Sequence, residues 1–268
     1  MIVASLIAAA VLVLVHIFAD RLRFLEGTPR SRWLSAAGGI SLAYVFLHLM
    51  PELAEGQSVL MEEGLGLGRI EFEIYGVALI GLLAFYGIER VVQVEDEIGR
   101  EGGAPTSRRM EHHYGFWLHL GTFAIYNLII GYLLLHRGRH GGETEGGHGL
   151  EHEGGATGVA AESDLSALLT FAIAMALHFL VTDYGLREDF RGGWLRTGRW
   201  VLSGAVFAGW LLGMLVTLPE IVVLGAVALL GGGVILNVLK EELPEERKSR
   251  FGALVAGAAG YAMLLAFA

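Results

Sequence analysis

Ionisable and strongly polar side chains are costly inside long apolar runs, so the few that occur there mark the places where chemistry is expected. The run near 33–51 carries Ser41, Tyr44, His48 and Glu52 at spacings of three and four. That spacing puts all four on one helix face, where His48 and Glu52 converge as an imidazole and a carboxylate able to hold one cation. The run near 115–136 carries His119, Tyr126 and Asn127. The run near 165–186 carries His178, Thr182 and Asp183. Thr182 is one turn from His178, whereas Asp183 lies about 140° round a regular helix and joins His178 only if the helix is unwound or bulged. A helix-end ion pair with Arg187 is the simpler use of Asp183. His16, at the end of the first run, reads as a packed interfacial residue. Metal ligation, proton relay and hydrogen-bonded helix packing all remain open for these groups. A metal-dependent hydrolase built from His48, His119, His178 and Asp183 would need three ligands converging around an open position, and no run holds a His-x-x-x-His pair. Outside the runs, His136, His140, His148 and His152 accompany Glu143, Glu145, Glu151 and Glu153 in a segment suited to loose binding of Zn-like ions.

The elements that must position these groups are membrane helices. The chain has 268 residues, 54% of them hydrophobic. Crossing a hydrocarbon core of about 30 Å takes roughly 20 mostly apolar residues. Eight such runs are present, near 2–19, 33–51, 72–91, 115–136, 165–186, 198–218, 220–240 and 251–268. Sixteen of the 19 Lys and Arg residues fall in every second gap between them or at the edges of that gap. The first of these gaps holds Arg21, Arg23, Arg30 and Arg32. The others hold Arg90, Arg100, Arg108 and Arg109; Arg187, Arg191, Arg196 and Arg199; and Lys240, Arg247, Lys248 and Arg250. Cytoplasmic loops collect such residues, so eight spans with both termini extracytoplasmic are expected in a multi-pass bacterial inner-membrane protein. Residues 2–19 read as a retained span rather than a removed signal peptide. One transmembrane domain, 1–268, accounts for the chain. Segments 92–113 and 137–163 lack apolar periodicity and are expected to be flexible loops. The net charge of −9 comes mostly from the predicted outer loops and does not point to nucleic acid. Zero cysteines exclude disulfides and thiolate metal sites. The glycines within the runs, Gly38-Gly39, Gly204, Gly209, Gly213, Gly231-Gly232-Gly233, Gly257 and Gly260, read as points of close helix approach.

The second run ends His48-Leu49-Met50-Pro51-Glu52 and the seventh ends Glu241-Glu242-Leu243-Pro244-Glu245. Similar ends on opposite sides of the membrane are what an inverted repeat of spans 1–3 and 6–8 produces, although a Pro-Glu pair also terminates helices. With the Pro-Glu-ended second span and the polar fourth and fifth runs, the chain resembles the ZIP (Zrt/Irt-like) divalent-metal transporters. Tyr126-Asn127-Leu128-Ile129-Ile130-Gly131 is similar to that family's His-Asn-x-x-Asp-Gly signature, with Asn127 and Gly131 matching, Tyr126 in place of His and Ile130 in place of Asp. His178-Phe179-Leu180-Val181-Thr182-Asp183 is similar to His-Glu-x-Pro-Glu-Gly, with His178 matching. Phe179 and Thr182 stand for the carboxylates and Val181 for the proline. The resemblance implies an all-α membrane fold with a 3+2+3 arrangement, a permease rather than an enzyme, and uptake of a zinc-like cation by alternating access. It implies metal contacts from His178, Asn127, Asp183, Tyr126 and Thr182, with His48 and Glu52 on the path. The metal is substrate rather than cofactor. The lipid bilayer and, in a homodimer, a second copy of the chain are the expected partners. The inherited positions carry no negative charge unless Asp183 contributes, which leaves a second expectation: a ZIP-like fold that moves another solute or acts as a sensor or partner protein.

Overall fold

The computed structural model describes residues 1–21, 31–62, 73–101, 114–140, 156–190, 197–242 and 250–267. The described residues contain eight helices and no strand. Helix α1 is Ile2–Phe18, ending in a short 3-10 turn at Ala19–Arg21. Helix α2 runs through Arg32–Tyr44, a π-turn at Val45–Leu49, and Met50–Glu62. Then come α3 (Glu73–Glu101), α4 (Tyr114–His140), α5 (Ala156–Asp189), α6 (Arg199–Leu215), α7 (Glu220–Glu242) and α8 (Phe251–Phe267). A chain segment in lipid must satisfy its own backbone hydrogen bonds, and the α-helix does so locally. Five segments are both long and apolar enough to cross a membrane: Arg32–Ser58, Ile74–Val91, Gly115–His136, Leu165–Arg187 and Glu220–Lys240. Helices α1, α6 and α8 are as apolar but have 17 residues each, about 25 Å of helix at ~1.5 Å per residue.

Several helices overrun their apolar runs. Residues 92–101 were expected in a loop, yet α3 continues to Glu101. Val92-Gln93-Val94-Glu95-Asp96-Glu97 is a helix-competent sequence with no Pro or Gly, so loss of apolar periodicity there marks the end of the apolar run rather than the end of the helix. Helix α4 likewise reaches His140 and α5 begins at Ala156, inside the expected loop 137–163, even though Gly138 and Gly158 lie in these extensions. The remainder of both loops, 102–113 and 141–155, lies outside the described residues. So do His148, His152 and the Glu143 to Glu153 carboxylates. His136 is described, stacked on Tyr132 with ring centroids 6.3 Å apart.

Pro51 does not end α2. Proline has no N–H to donate, and the turn before it widens so that Met50 N–H bonds to the Val45 carbonyl, five residues back. A π-turn shifts the helical register. Ser41 and Tyr44 are fully buried, while His48 and Glu52 are only half-buried. The four residues are therefore not equally buried, although Tyr44 and His48 stack side by side. The matching Pro244-Glu245 lies outside the described residues.

Close backbone crossings organise the bundle. A Cβ on Gly131 of α4 would collide with the Val206 carbonyl of α6, and one on Gly209 of α6 with the Leu128 carbonyl of α4. The same reciprocity joins α2 to α8 through Gly39 and Gly257, and α3 to α7 through Gly81 and Gly232. Without a solvent-driven hydrophobic force in lipid, such backbone approach is what holds helices together. Gly204 and Gly260 face open space and have no such part. Helix α1 packs on α5 and α6, and α5 touches α1, α2 and α4. The polar groups gather where α1, α4 and α5 meet.

Candidate functional site

Helix α1 buries Ser5, Ala8, Ala9, Leu12 and His16, a stripe at spacings of three and four that ends on the imidazole. Two polar contacts seat this stripe against α6. Trp210 Nε1 donates to Ser5 Oγ at 3.1 Å and Ser203 Oγ to the Val13 carbonyl at 3.4 Å. His16 is thereby pressed into the bundle, where it meets α4 and α5. Its Nδ1 lies 2.8 and 3.0 Å from the two carboxylate oxygens of Asp183, and its Nε2 lies 2.7 Å from Asn127 Oδ1. The Asn127 amide nitrogen donates to the Phe123 carbonyl at 2.7 Å. All three side chains are 1% exposed.

Hydrogen-bond logic fixes the protons of this group. Turning the Asn127 amide over would set its oxygen against the Phe123 carbonyl, so Oδ1 must face His16. An amide oxygen only accepts, so His16 Nε2 carries a hydrogen. A second proton lies between Nδ1 and the Asp183 carboxylate, because two bare acceptors do not sit 2.8 Å apart. Wherever that proton rests along the bond, His16 and Asp183 together have zero net charge. The arrangement satisfies every polar atom at the junction, as burial requires.

His178 faces the other way. Its Nε2 lies 3.2 Å from the Tyr126 hydroxyl and 3.4 Å from Thr182 Oγ1. Thr182 also donates to the His178 carbonyl at 3.0 Å. His178 Nδ1 is buried with no hydrogen-bond partner. Helix α5 stays regular here, so Asp183 points at α1 and His178 at α4, as their angular separation dictates. The Phe179 ring lies 4.5 Å from His16 and 6.3 Å from His178, between the two imidazoles.

The residues singled out from sequence thus fall into separate groups. Asn127 and Asp183 meet on His16; Tyr126, His178 and Thr182 form a neighbouring cluster. His48 stacks on Tyr44 at 5.4 Å, and neither His48 nor Glu52 is a hydrogen-bond partner of Asn127, His178 or Asp183. Asp183 does not pair with Arg187, whose guanidinium lies 5.6 Å from the Tyr184 ring. His16 is not an interfacial packing residue; it is the hub of the first group. Its signal in the sequence was the α1 stripe, which needs the 3.6-residue period applied to an almost wholly apolar helix. A further group escaped notice, with Glu89 of α3 bonded to Lys240 of α7 at 2.7 Å and to His119 of α4 at 3.2 Å. In the sequence Glu89 stands beside Arg90 at the end of an apolar run, where a charge needs no buried partner.

No three His, Cys, Asp or Glu side chains among the described residues are close enough together to hold a metal ion. The best convergent set is one imidazole, one carboxylate and one carboxamide oxygen, from His16, Asp183 and Asn127. That is an N/O set of borderline hardness, compatible with zinc-like and manganese-like ions, and it holds one negative charge when deprotonated. The four residues weighed for a hydrolase have separate neighbours, His119 at Glu89, His178 at Tyr126, Asp183 at His16 and His48 at Tyr44. Beside Tyr126, a cavity of about 10 Å³ is lined by Tyr44, Leu49, Phe171 and Met175, about the room one water molecule occupies. No family model matches the sequence, and searches of curated proteins and of solved structures return no similar protein.

Proposed function

We propose that this protein is a ZIP-like membrane permease that brings a divalent metal cation into the cytoplasm by alternating access, with eight spans and extracytoplasmic termini. The observation that carries the reading is the burial of the Asp183 carboxylate at the meeting point of α1, α4 and α5, against His16 and Asn127. The motif positions alone lack negative charge. Asp183 supplies it from the adjacent position, and His16 supplies an imidazole from a third helix. A buried carboxylate and imidazole at membrane depth are expensive and are expected to mark an ion pathway.

The packing is compatible with an inverted repeat of spans 1–3 and 6–8. Exchanging α2 with α7 and α3 with α8 maps the glycine crossing of α2 and α8 onto that of α3 and α7. The charge rule assigns Glu89, His119 and Lys240 to the inner ends of three different spans, and these residues meet in space. On this reading alternating access moves α1, α4 and α5, which supply the site residues, together with α6 against the flanking pairs α2–α8 and α3–α7.

Uptake of radioactive zinc, manganese, iron, cobalt and cadmium into proteoliposomes tests the reading. The full chain should carry at least one of the five, and Asp183→Asn should slow it at least tenfold. No uptake of any ion by the unmodified chain would sink the proposal. A second reading is favoured by one observation: with the Phe123 carbonyl, every polar side-chain atom of His16, Asn127 and Asp183 already has a hydrogen-bond partner. On that reading the ZIP-like fold serves another solute or a sensing role, and uptake of all five ions is absent.

A further inference from the structure

Glu89, His119 and Lys240 form a partly buried polar cluster that the first site does not use. They come from α3, α4 and α7. His119 Nε2 and Lys240 Nζ both reach the same oxygen of Glu89, Oε2, at 3.2 and 2.7 Å. His119 is 4% exposed, and its Nδ1 has no hydrogen-bond partner. One turn before Lys240 on α7, Asn237 is also buried with its amide nitrogen unpartnered. Each such atom costs about 1–3 kcal/mol when left unsatisfied; His119 Nδ1 lies on the far side of the ring from Glu89 and the Asn237 nitrogen is a donor, so they mark incomplete pairing around the cluster and not ligands of its centre.

We infer that this cluster is a second cation station, in which a divalent transition-metal-type ion is held by the Glu89 carboxylate and the His119 imidazole, and Lys240 is a tethered ammonium that the ion displaces. The spacing suits the exchange. Ligand atoms at about 2.1 Å from a metal stand about 3.0–3.4 Å apart at adjacent corners of an octahedron or tetrahedron. The observed separation of imidazole nitrogen and carboxylate oxygen is 3.2 Å. The charge balance suits it too. Glu89 is neutralised now by Lys240, and a departing ammonium must be replaced by another cation. The Lys240 side chain is 24% exposed and lies near the end of α7, so it can swing to water without opening the core.

The position relates the cluster to the first site. His119 precedes Asn127 by eight residues on α4, about 12 Å along the axis, toward the end that the charge pattern assigns to the cytoplasm. Phe123 lies between them. Its carbonyl accepts from Asn127, and its ring is 5.9 Å from His119 and 6.4 Å from Tyr126. Two stations in series, separated by one aromatic ring, describe a release path. The identity of the ion rests on the divalent-cation reading above; the geometry of the second station does not depend on Asp183.

Cobalt binding to the purified full chain tests the inference, with ions bound per chain measured by equilibrium dialysis. Lys240→Met should tighten one ion per chain at least tenfold, because the competing ammonium is gone. Adding Glu89→Gln should abolish that ion, and adding His119→Gln should weaken it at least tenfold. These results should persist in an Asp183→Asn background. No tightening in Lys240→Met, or a tightened ion that survives Glu89→Gln, overturns the inference. A gain in Lys240→Met with no loss in Asp183→Asn would instead count against the first site and leave the second standing. A readout on the unmodified chain guards against variants that do not fold. Saturating zinc should raise labelling of Lys240 by an amine-reactive reagent severalfold, with Lys248 as internal control. Unchanged labelling of Lys240 overturns the inference as well.

Discussion

Replacing His16 with leucine should expose the energetic core of the site. Leucine keeps apolar bulk beside Phe179 but removes both donors. The Asp183 carboxylate then loses its contacts at 2.8 and 3.0 Å, and Asn127 Oδ1 loses its contact at 2.7 Å. Removing one member of a buried pair costs about 3–5 kcal/mol in soluble proteins. Hydrogen-bond couplings measured inside bilayers are smaller, at most about 1.7 kcal/mol, because the unfolded chain in lipid also finds partners. A cost of about 3 kcal/mol for His16→Leu lies between these limits for a pair sharing a proton. Asp183→Leu leaves a neutral imidazole without one partner, at about 1–2 kcal/mol. If the two groups act as a unit, the double variant should be about 2 kcal/mol less damaged than the sum of the singles. Reversible unfolding in mixed micelles, followed by tryptophan fluorescence, gives all three values. Trp210 is a suitable reporter because it is buried and bonded to Ser5 of α1. Additivity of the two single costs within about 0.5 kcal/mol would show that the residues are not coupled, and the reasoning about a shared proton would fail.

Gly131→Leu should break the α4–α6 crossing, because its side chain would meet the Val206 carbonyl, whereas Gly204→Leu, facing open space, should be neutral within about 0.5 kcal/mol; the same unfolding assay compares them, and equal damage would refute the packing scheme. Asn127→Leu should cost about 1–3 kcal/mol by stranding His16 Nε2, and it should weaken metal binding in dialysis. Because metal ligands must shed their protons, each divalent ion entering the first site should release about one proton from the His16–Asp183 pair; a pH-stat record in weak buffer reads this directly. No release alongside measured binding would place the ion elsewhere.

Much of the architecture was legible in the residues because bilayer physics leaves few choices. Apolar run length and the alternation of arginine anticipated helices at all eight runs, although among the described residues five helices are long and apolar enough by both criteria to cross a membrane. Helix ends were less legible, since charge in a segment such as 92–101 does not stop a helix that has good propensity. Pro51 misled for a related reason. A missing N–H can be absorbed by a π-turn within a helix, and sequence does not announce which outcome packs better. The site was half legible. Asn127, His178 and Asp183 stood out as polar groups in apolar runs, and the 140° between His178 and Asp183 correctly separated them. Their partners did not stand out. His16 belongs to a helix so apolar that its inward stripe is hard to see, and its pairing with Asp183 spans 167 residues of sequence. Such pairings are set by which helices cross, and the six crossing glycines decide that only once their partner carbonyls are known.

The central claim is that a divalent cation binds among His16, Asn127 and Asp183. X-ray absorption of the chain loaded with one equivalent of zinc or cobalt tests it most directly. The account predicts a first shell of nitrogen and oxygen at about 2.0–2.2 Å with one imidazole scattering pattern, lost in both His16→Leu and Asp183→Asn. An unchanged imidazole shell in both variants, or no bound metal in the unmodified chain, would contradict it.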